Sequence, residues 1–281
     1  MSSAIEKRVM LIILDGWGHS PDPAVSAIDQ AHTPVMDGLY EKYPNAELTT
    51  HGLAVGLPAG QMGNSEVGHL NIGAGRVVDQ ELVRIAKAIQ SRALHQNPTL
   101  LDAIQDANRR NARIHLMGLL SDGGVHSHMH HLKALCDILS ENARVPVFIH
   151  AFTDGRDVGP HTGLGFVREI NEYVALRHIR LASVVGRYYA MDRDKRWERT
   201  KIAYDALVHG TGTPTMDLIS AVETSYAAGV TDEFILPIIQ TGADGHPVGV
   251  IQAGDLIIFF NFRTDRPRQL ISVLSQQAYP D

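Results

Sequence analysis

One cysteine, Cys136, stands in the whole chain. It excludes an intrachain disulfide framework and makes a reducing, cytoplasmic setting the expectation. No apolar run approaches the roughly 20 residues that a membrane helix needs. The two that stand out, at 9–14 and 255–260, are each six residues, and the first is too short for a signal segment. Nor is there a surplus of positive charge. Twenty-five lysines and arginines face thirty-one acidic residues, for a net charge of −6. Broad attachment to nucleic acid or to an anionic membrane needs a basic excess, so neither partner is expected. A small anionic ligand stays open, because a few converging arginines can sit inside an acidic protein. Internal repeats and low-complexity tracts are missing too.

What is there reads as an α/β protein. At 281 residues and 44% hydrophobic composition, the chain is long enough for about two domains with real cores. Val9–Leu14 is a short continuous apolar run stopped by Asp15-Gly16, the pattern of a strand buried on both faces. Asp15 then falls at that strand's C-terminal end, where open α/β sheets bind ligands. Residues 33–43 have helical spacing with Pro34 in the first turn. A glycine-rich region covers 52–75, and 79–90 is again helical. Strand and helix then alternate: strands at 113–119, 145–152, 179–185 and 255–261, helices at 130–142, 163–175, 195–207 and from 267. Such alternation implies a parallel sheet.

The loops after these strands hold the chemistry. They contain His126, Arg156-Asp157, Arg187, Arg193, Arg263 and Arg266. Parallel strands would bring all of them to one sheet edge. Five guanidiniums together call for a multiply anionic partner, since the arginine fork matches carboxylate and phosphate. The plainer alternative is that Arg156 pairs with Asp157 and Arg193 with Asp192 as neighbours. His126, His128, His130 and His131 form a dense cluster, and His is a common metal ligand. No Cys or Glu completes a zinc pattern, and His130 and His131 fall at a helix start where they could face solvent. Proton transfer or phosphate contact by His126 is the better expectation. Ser65, in Gly63-Asn64-Ser65-Glu66-Val67-Gly68-His69, follows neither the Gly-x-Ser-x-Gly elbow nor a P-loop. Read alone it serves equally as a helix N-cap or a nucleophile. A divalent metal could activate it, with Asp15 a natural oxygen ligand.

Six segments in order carry a resemblance. They are Leu14-Asp15-Gly16-Trp17-Gly18, the stretch from Gly63 to Arg76, Leu120 to His128, Asp154-Gly155-Arg156-Asp157, Gly186 to Asp194, and Phe260 to Arg266. Together they resemble the 2,3-bisphosphoglycerate-independent phosphoglycerate mutases, of the alkaline phosphatase-like superfamily, along essentially the whole chain. The resemblance implies interconversion of 3-phosphoglycerate and 2-phosphoglycerate by a monomeric enzyme, without added 2,3-bisphosphoglycerate. It implies Ser65 as the residue that takes the phosphoryl group, and Asp15 and Ser65 as ligands in a site for two divalent metal ions, usually manganese. His126, Arg156, Asp157, Arg187, Arg193, Arg263 and Arg266 match substrate-binding positions, with Asp157 able to accept a bond from a substrate hydroxyl.

The implied architecture is a partial alkaline phosphatase-like domain at 1–78 and an inserted α/β phosphotransferase domain at 79–281. Members of the family are roughly twice as long, and their later half supplies most of the metal ligands and the strands that would pair with the first piece. A fragment of a longer enzyme is therefore expected, with an exposed apolar edge. A phosphoglycerate-binding module without turnover, or another metal-dependent phosphatase or phosphomutase of the superfamily, are the alternatives.

Overall fold

The structure is a computed structural model that describes residues 9–275. The chain divides into two compact units, residues 1–79 and 80–281.

The first unit is helical, with helices α1 (Ala27–Gln30), α2 (Pro34–Lys42) and α3 (Ser65–Ala74) and intervening turns. α2 begins at Pro34, whose fixed φ suits the first turn. The expected strand at Val9–Leu14 is not formed. That segment is irregular, and Val9, Met10, Leu11 and Ile12 are exposed. A doubly buried strand needs neighbours on both edges to satisfy its backbone and cover its faces, and among the described residues no strand flanks it. Leu57 and Val67 are the buried apolar side chains of this unit among the described residues.

The second unit is a three-layer α/β/α domain. Its sheet contains β1 (Ile114–Leu119), β2 (Val147–Thr153), β3 (Ile179–Gly186), β4 (Thr213–Thr215), β5 (Ile238–Gln240) and β6 (Leu256–Phe259), in the order β4-β5-β3-β2-β1-β6. β6, β1, β2 and β3 run parallel, as the alternation implies. β5 is antiparallel to β3, which makes the sheet mixed rather than purely parallel. The helices are α4 (Glu81–Gln90), α5 (Pro98–Arg110), α6 (Met129–Asn142), α7 (Gly163–Val174), α8 (Arg187–Ala190), α9 (Trp197–His209), α10 (Leu218–Ala227) and α11 (Arg268–Ser275).

α5, α6, α7 and α10 cover one face of the sheet, where Ile104, Leu132, Ile170 and Val222 pack on Leu116 and Ile149. α8, α9 and α11 cover the other, where Ala203, Leu207 and Leu270 meet Met117, Phe152 and Val185. Coverage on both faces explains why β1 and β2 read as nearly continuous apolar runs. Because four strands run parallel, the loops that follow them leave from the same edge.

Candidate active site

In the first unit, Ser65 opens α3. The helix N-cap is Asn64, whose side chain accepts a hydrogen bond from Val67 N at 2.9 Å. That settles one alternative against Ser65, whose hydroxyl is left free for other work. Ser65 Oγ donates to Asp15 Oδ2 at 2.6 Å and lies 3.2 Å from His69 Nδ1, one helical turn further on. His69 Nδ1 also lies 2.8 Å from the Ser65 carbonyl oxygen. Asp15 sits in a turn after the irregular apolar segment, not at the end of a strand, with Trp17 N donating to Leu14 O at 3.1 Å. The approach to α3 needs glycine at 63, since a Cβ there would lie 1.7 Å from the Thr50 carbonyl oxygen. The first turn of α3 adds the partial positive charge of a helix N-terminus beside the hydroxyl.

Asp15 and Ser65 offer two hard oxygen donors to a divalent cation. Ions of the magnesium and manganese class take about six oxygens. Among the described residues no group of three or more His, Cys, Asp or Glu side chains is disposed to hold a metal ion. The pair fits the donor chemistry of such a site and part of its number.

In the second unit, the loops after β1, β2, β3 and β6 converge as expected. The β2 loop turns on Asp154, whose Oδ1 accepts from Arg156 N at 3.2 Å and Asp157 N at 3.0 Å. Gly155 supplies the positive φ of +72° that this turn requires. Arg187, at the end of β3, is 2% exposed, and its Nη1 donates to Asp154 Oδ1 at 2.5 Å and Asp157 Oδ2 at 2.7 Å. Burial pushes the Asp154 carboxyl up, but the Asp157 N–H and Arg187 outweigh it and hold the group below the ordinary carboxylate range. Arg187 is likewise kept firmly charged by the two carboxylates against its own burial.

His126 follows β1. It sits 3.8 Å from Asp157 Oδ2 on one side and 3.7 Å from Asp265 Oδ1 on the other. Burial, reinforced by Arg187, pushes its imidazole down to about 4, so it is neutral at neutral pH. The His126 carbonyl accepts from Phe262 N at 2.9 Å, and Asn261 Oδ1 accepts from Leu119 N at 2.9 Å. These bonds join the β6 loop to the β1 loop and bring Arg263 to His126. Arg193 and Arg263 both pair with Asp265, at 2.7 and 3.1 Å. Arg266 donates to Met191 O at 3.3 Å, and its Nε has no hydrogen-bond partner among the described residues.

The two neighbour pairs expected for Arg156 and Arg193 give way to others. Arg156 lies 3.5 Å from Glu233, and Asp192 pairs with Arg199 rather than Arg193. Of the other histidines, His130 is exposed, but His131 is buried against Phe262 and not solvent-facing. Asp154, Glu233 and Asp265 belong to this edge without having been singled out from the sequence. Asp154 and Asp265 stand in the same motifs as the arginines, and a fixed guanidinium implies a carboxylate to fix it.

Comparison with known proteins identifies the family. Residues 85–281 match the family described as BPG-independent PGAM N-terminus (iPGM_N). The chain belongs to this family. It is 54% identical over 275 residues to the 2,3-bisphosphoglycerate-independent phosphoglycerate mutase of Flavobacterium psychrophilum, covering 98% of this chain and 54% of that protein. The corresponding protein of Myxococcus xanthus is 52% identical over 275 residues, with 98% and 53% covered. A crystal structure of Leishmania mexicana phosphoglycerate mutase, determined at low cobalt concentration, superimposes with a TM-score of 0.72 at 30% identity, covering 90% of this chain and 48% of that one. The chain thus spans about half the length of the relatives it matches, and its α/β fold is shared with a phosphoglycerate mutase.

Proposed function

We propose that the chain is the N-terminal part of a cofactor-independent phosphoglycerate mutase, one that interconverts 3-phosphoglycerate and 2-phosphoglycerate by way of a phosphoserine at Ser65. On this reading residues 1–78 belong to a phosphatase-like domain and 79–281 to the inserted phosphotransferase domain. The observation that carries the reading is the Ser65–Asp15 pair: a serine hydroxyl hydrogen-bonded at 2.6 Å to a carboxylate, at the first turn of a helix, within the Gly63–Arg76 segment that carries the resemblance.

Ser65 Oγ would form a bond to phosphorus as the phosphate–glycerate bond breaks. The proton that leaves Ser65 Oγ is matched by the one the departing glycerate oxygen takes up; on return the other glycerate hydroxyl gives up its proton and bonds to phosphorus as the Ser65 Oγ–phosphorus bond breaks, and Ser65 Oγ is reprotonated. A divalent ion, manganese by family resemblance, would be held in part by Asp15 and Ser65 and would stabilise the serine alkoxide. Arg156, Arg187, Arg193, Arg263 and Arg266 bind the phosphate and carboxylate of the substrate, as forks that suit both groups. Asp157 accepts a bond from a substrate hydroxyl. His126, neutral and between two carboxylates, orients or relays a proton rather than adding charge.

Ser65→Ala tests the reading. In the protein carried to the length of its relatives, with Mn²⁺ and without 2,3-bisphosphoglycerate, this variant should lose turnover while keeping its affinity for 3-phosphoglycerate. Turnover by Ser65→Ala would overturn the phosphoserine assignment. Residues 1–281 alone, with only two oxygen ligands among the described residues, are expected to bind phosphoglycerate without converting it.

A further inference from the structure

Five guanidiniums stand at the arginine edge, and four carboxylates touch them: Asp154, Asp157, Glu233 and Asp265. Those carboxylates are not equivalent. Asp154 and Arg187 are both sealed from water, at 1% and 2% exposed, so that pair is a permanent part of the fold. Asp265 is different. Its side chain is 31% exposed, and its partners Arg193 and Arg263 are 46% and 49% exposed. It makes one well-formed hydrogen bond to this cluster, from Arg193 Nη1 at 2.7 Å to Oδ2. Its other oxygen, Oδ1, lies 3.1 Å from Arg263 Nε and 3.7 Å from His126 Nδ1 but is hydrogen-bonded to neither. His126 Nδ1 and Arg266 Nε also have no hydrogen-bond partner among the described residues.

One loosely held carboxylate therefore faces two guanidiniums and the neutral His126 imidazole, beside an Arg266 Nε–H that it does not satisfy. An anion with three or more oxygens could satisfy all of them. A single carboxylate, tethered between Arg263 and Arg266 in the chain, cannot.

We propose that Asp265 is a built-in counter-anion: it neutralises Arg193 and Arg263 while the edge is empty and is displaced from them when a phosphate-bearing ligand binds. This deepens the phosphoglycerate reading and rests on the edge being an anion site. Arg187 keeps both carboxylates on Nη1 throughout and offers the ligand its other N–H groups, whereas Arg193 and Arg263 change partner. A ligand must then offer these arginines more than a carboxylate already does. That favours dianionic phosphate groups over monoanions, which gain little by exchanging one anion for another.

Asp265→Asn removes the charge and preserves the shape, so the test is the direction of the change. The probe is inorganic phosphate, titrated calorimetrically into residues 1–281 in low-chloride buffer. Two half-exposed ion pairs are released, so Asp265→Asn should bind phosphate roughly three- to tenfold tighter than the unaltered protein. Asp265→Glu, which retains the charge, should stay within about twofold. Loss of a merely structural residue would weaken binding in both variants. Equal, weaker or undetectable phosphate binding in Asp265→Asn overturns the proposal, and so does equal tightening in Asp265→Glu. The parent reading is scored separately, by whether the unaltered protein prefers 3-phosphoglycerate to phosphate. If it does not, that reading fails, while tightening in Asp265→Asn alone still supports the counter-anion.

Discussion

At the scale of single residues, the site is a set of charges whose balance decides what each can do. Arg187 and Asp154 are a buried pair, and such a pair is more costly to break than it is valuable intact. Asp154→Ala would leave Arg187 with only Asp157 and would release the turn that places Arg156. We expect a loss of about 3–5 kcal/mol in unfolding free energy, read by denaturant titration. A loss below about 1 kcal/mol, the level of a surface pair, would contradict the buried-pair assignment. Arg263 is half-exposed, so its charge-assisted bond to a ligand falls at the lower end of the usual range, about 1.5 kcal/mol. Arg263→Ala should therefore weaken 3-phosphoglycerate binding by about tenfold, and an unchanged dissociation constant would remove Arg263 from the site.

At the scale of elements, the sheet contains a polar chain that holds its central strands in register. Ser183 Oγ on β3 lies 2.8 Å from His150 Nδ1 on β2, and His150 Nε2 lies 2.9 Å from His115 Nδ1 on β1. His115 Nε2 lies 3.1 Å from Asp255 Oδ2, just before β6. A shift in the β2–β3 register between Ile149 and His150 sets Ser183 opposite His150. Burial pushes the Asp255 carboxyl up, but the Gln252 N–H and Arg113 outweigh it, so the group is an ionised acceptor. His115 must then donate from Nε2 and accept at Nδ1, which makes His150 donate from Nε2 and accept from Ser183. Long-range nitrogen–proton spectra should show both histidines in the Nε2–H form.

Burial pushes His115 down to about 4 and His150 well below the ordinary imidazole value. Both are therefore neutral in the folded state and readily protonated in the unfolded one, near 6.5. Their stabilisation is complete above about pH 6.5 and lost as pH falls towards 4. For His115 alone the loss is of order 3 kcal/mol, and His126 and His131, also near 4, add to it. Unfolding free energy measured from pH 7.5 to 4.5 should fall steeply below 6.5, and a flat profile would contradict the buried neutral chain.

Much of this level was legible in the sequence. The parallel strands and the helices over 34–42, 81–90, 129–142, 163–174 and 197–209 follow from apolar runs and periodicity. So does the convergence of the arginines. β4 and β5, three residues each, are too short for a pattern to show. α5 is not among the expected helices, although Asn97, Pro98 and the Leu101–Ile104 spacing announce it. The histidine chain was missed because His115 and His150 each interrupt an apolar strand, and their pairing depends on register, which one sequence does not display. Asp265 pairs with Arg193, which is 72 positions away, so its role depends on the fold rather than on its own motif.

At the scale of the whole molecule, the two units differ in how much they bury. Among the described residues, Leu57 and Val67 are the buried apolar side chains of the first unit, while Val9, Met10, Leu48 and Met62 are more than four-fifths exposed. The strand expectation at 9–14 failed for that reason: the local signal was right for a buried strand, but burial is a property of what surrounds it. The second unit has two apolar cores on either side of its sheet. Limited proteolysis should therefore cut first within residues 9–79 and leave a resistant product beginning near residue 80. Early cleavage inside the sheet would contradict this.

The most direct measurement is a titration of 3-phosphoglycerate into ¹⁵N-labelled residues 1–281, following the arginine Nε–H signals and backbone amides. Shifts concentrated at His126, Arg156, Asp157, Arg187, Arg193, Arg263 and Arg266 that saturate with added 3-phosphoglycerate are the predicted result. Absence of shifts, or shifts confined to other surfaces, would contradict a phosphoglycerate site at this edge.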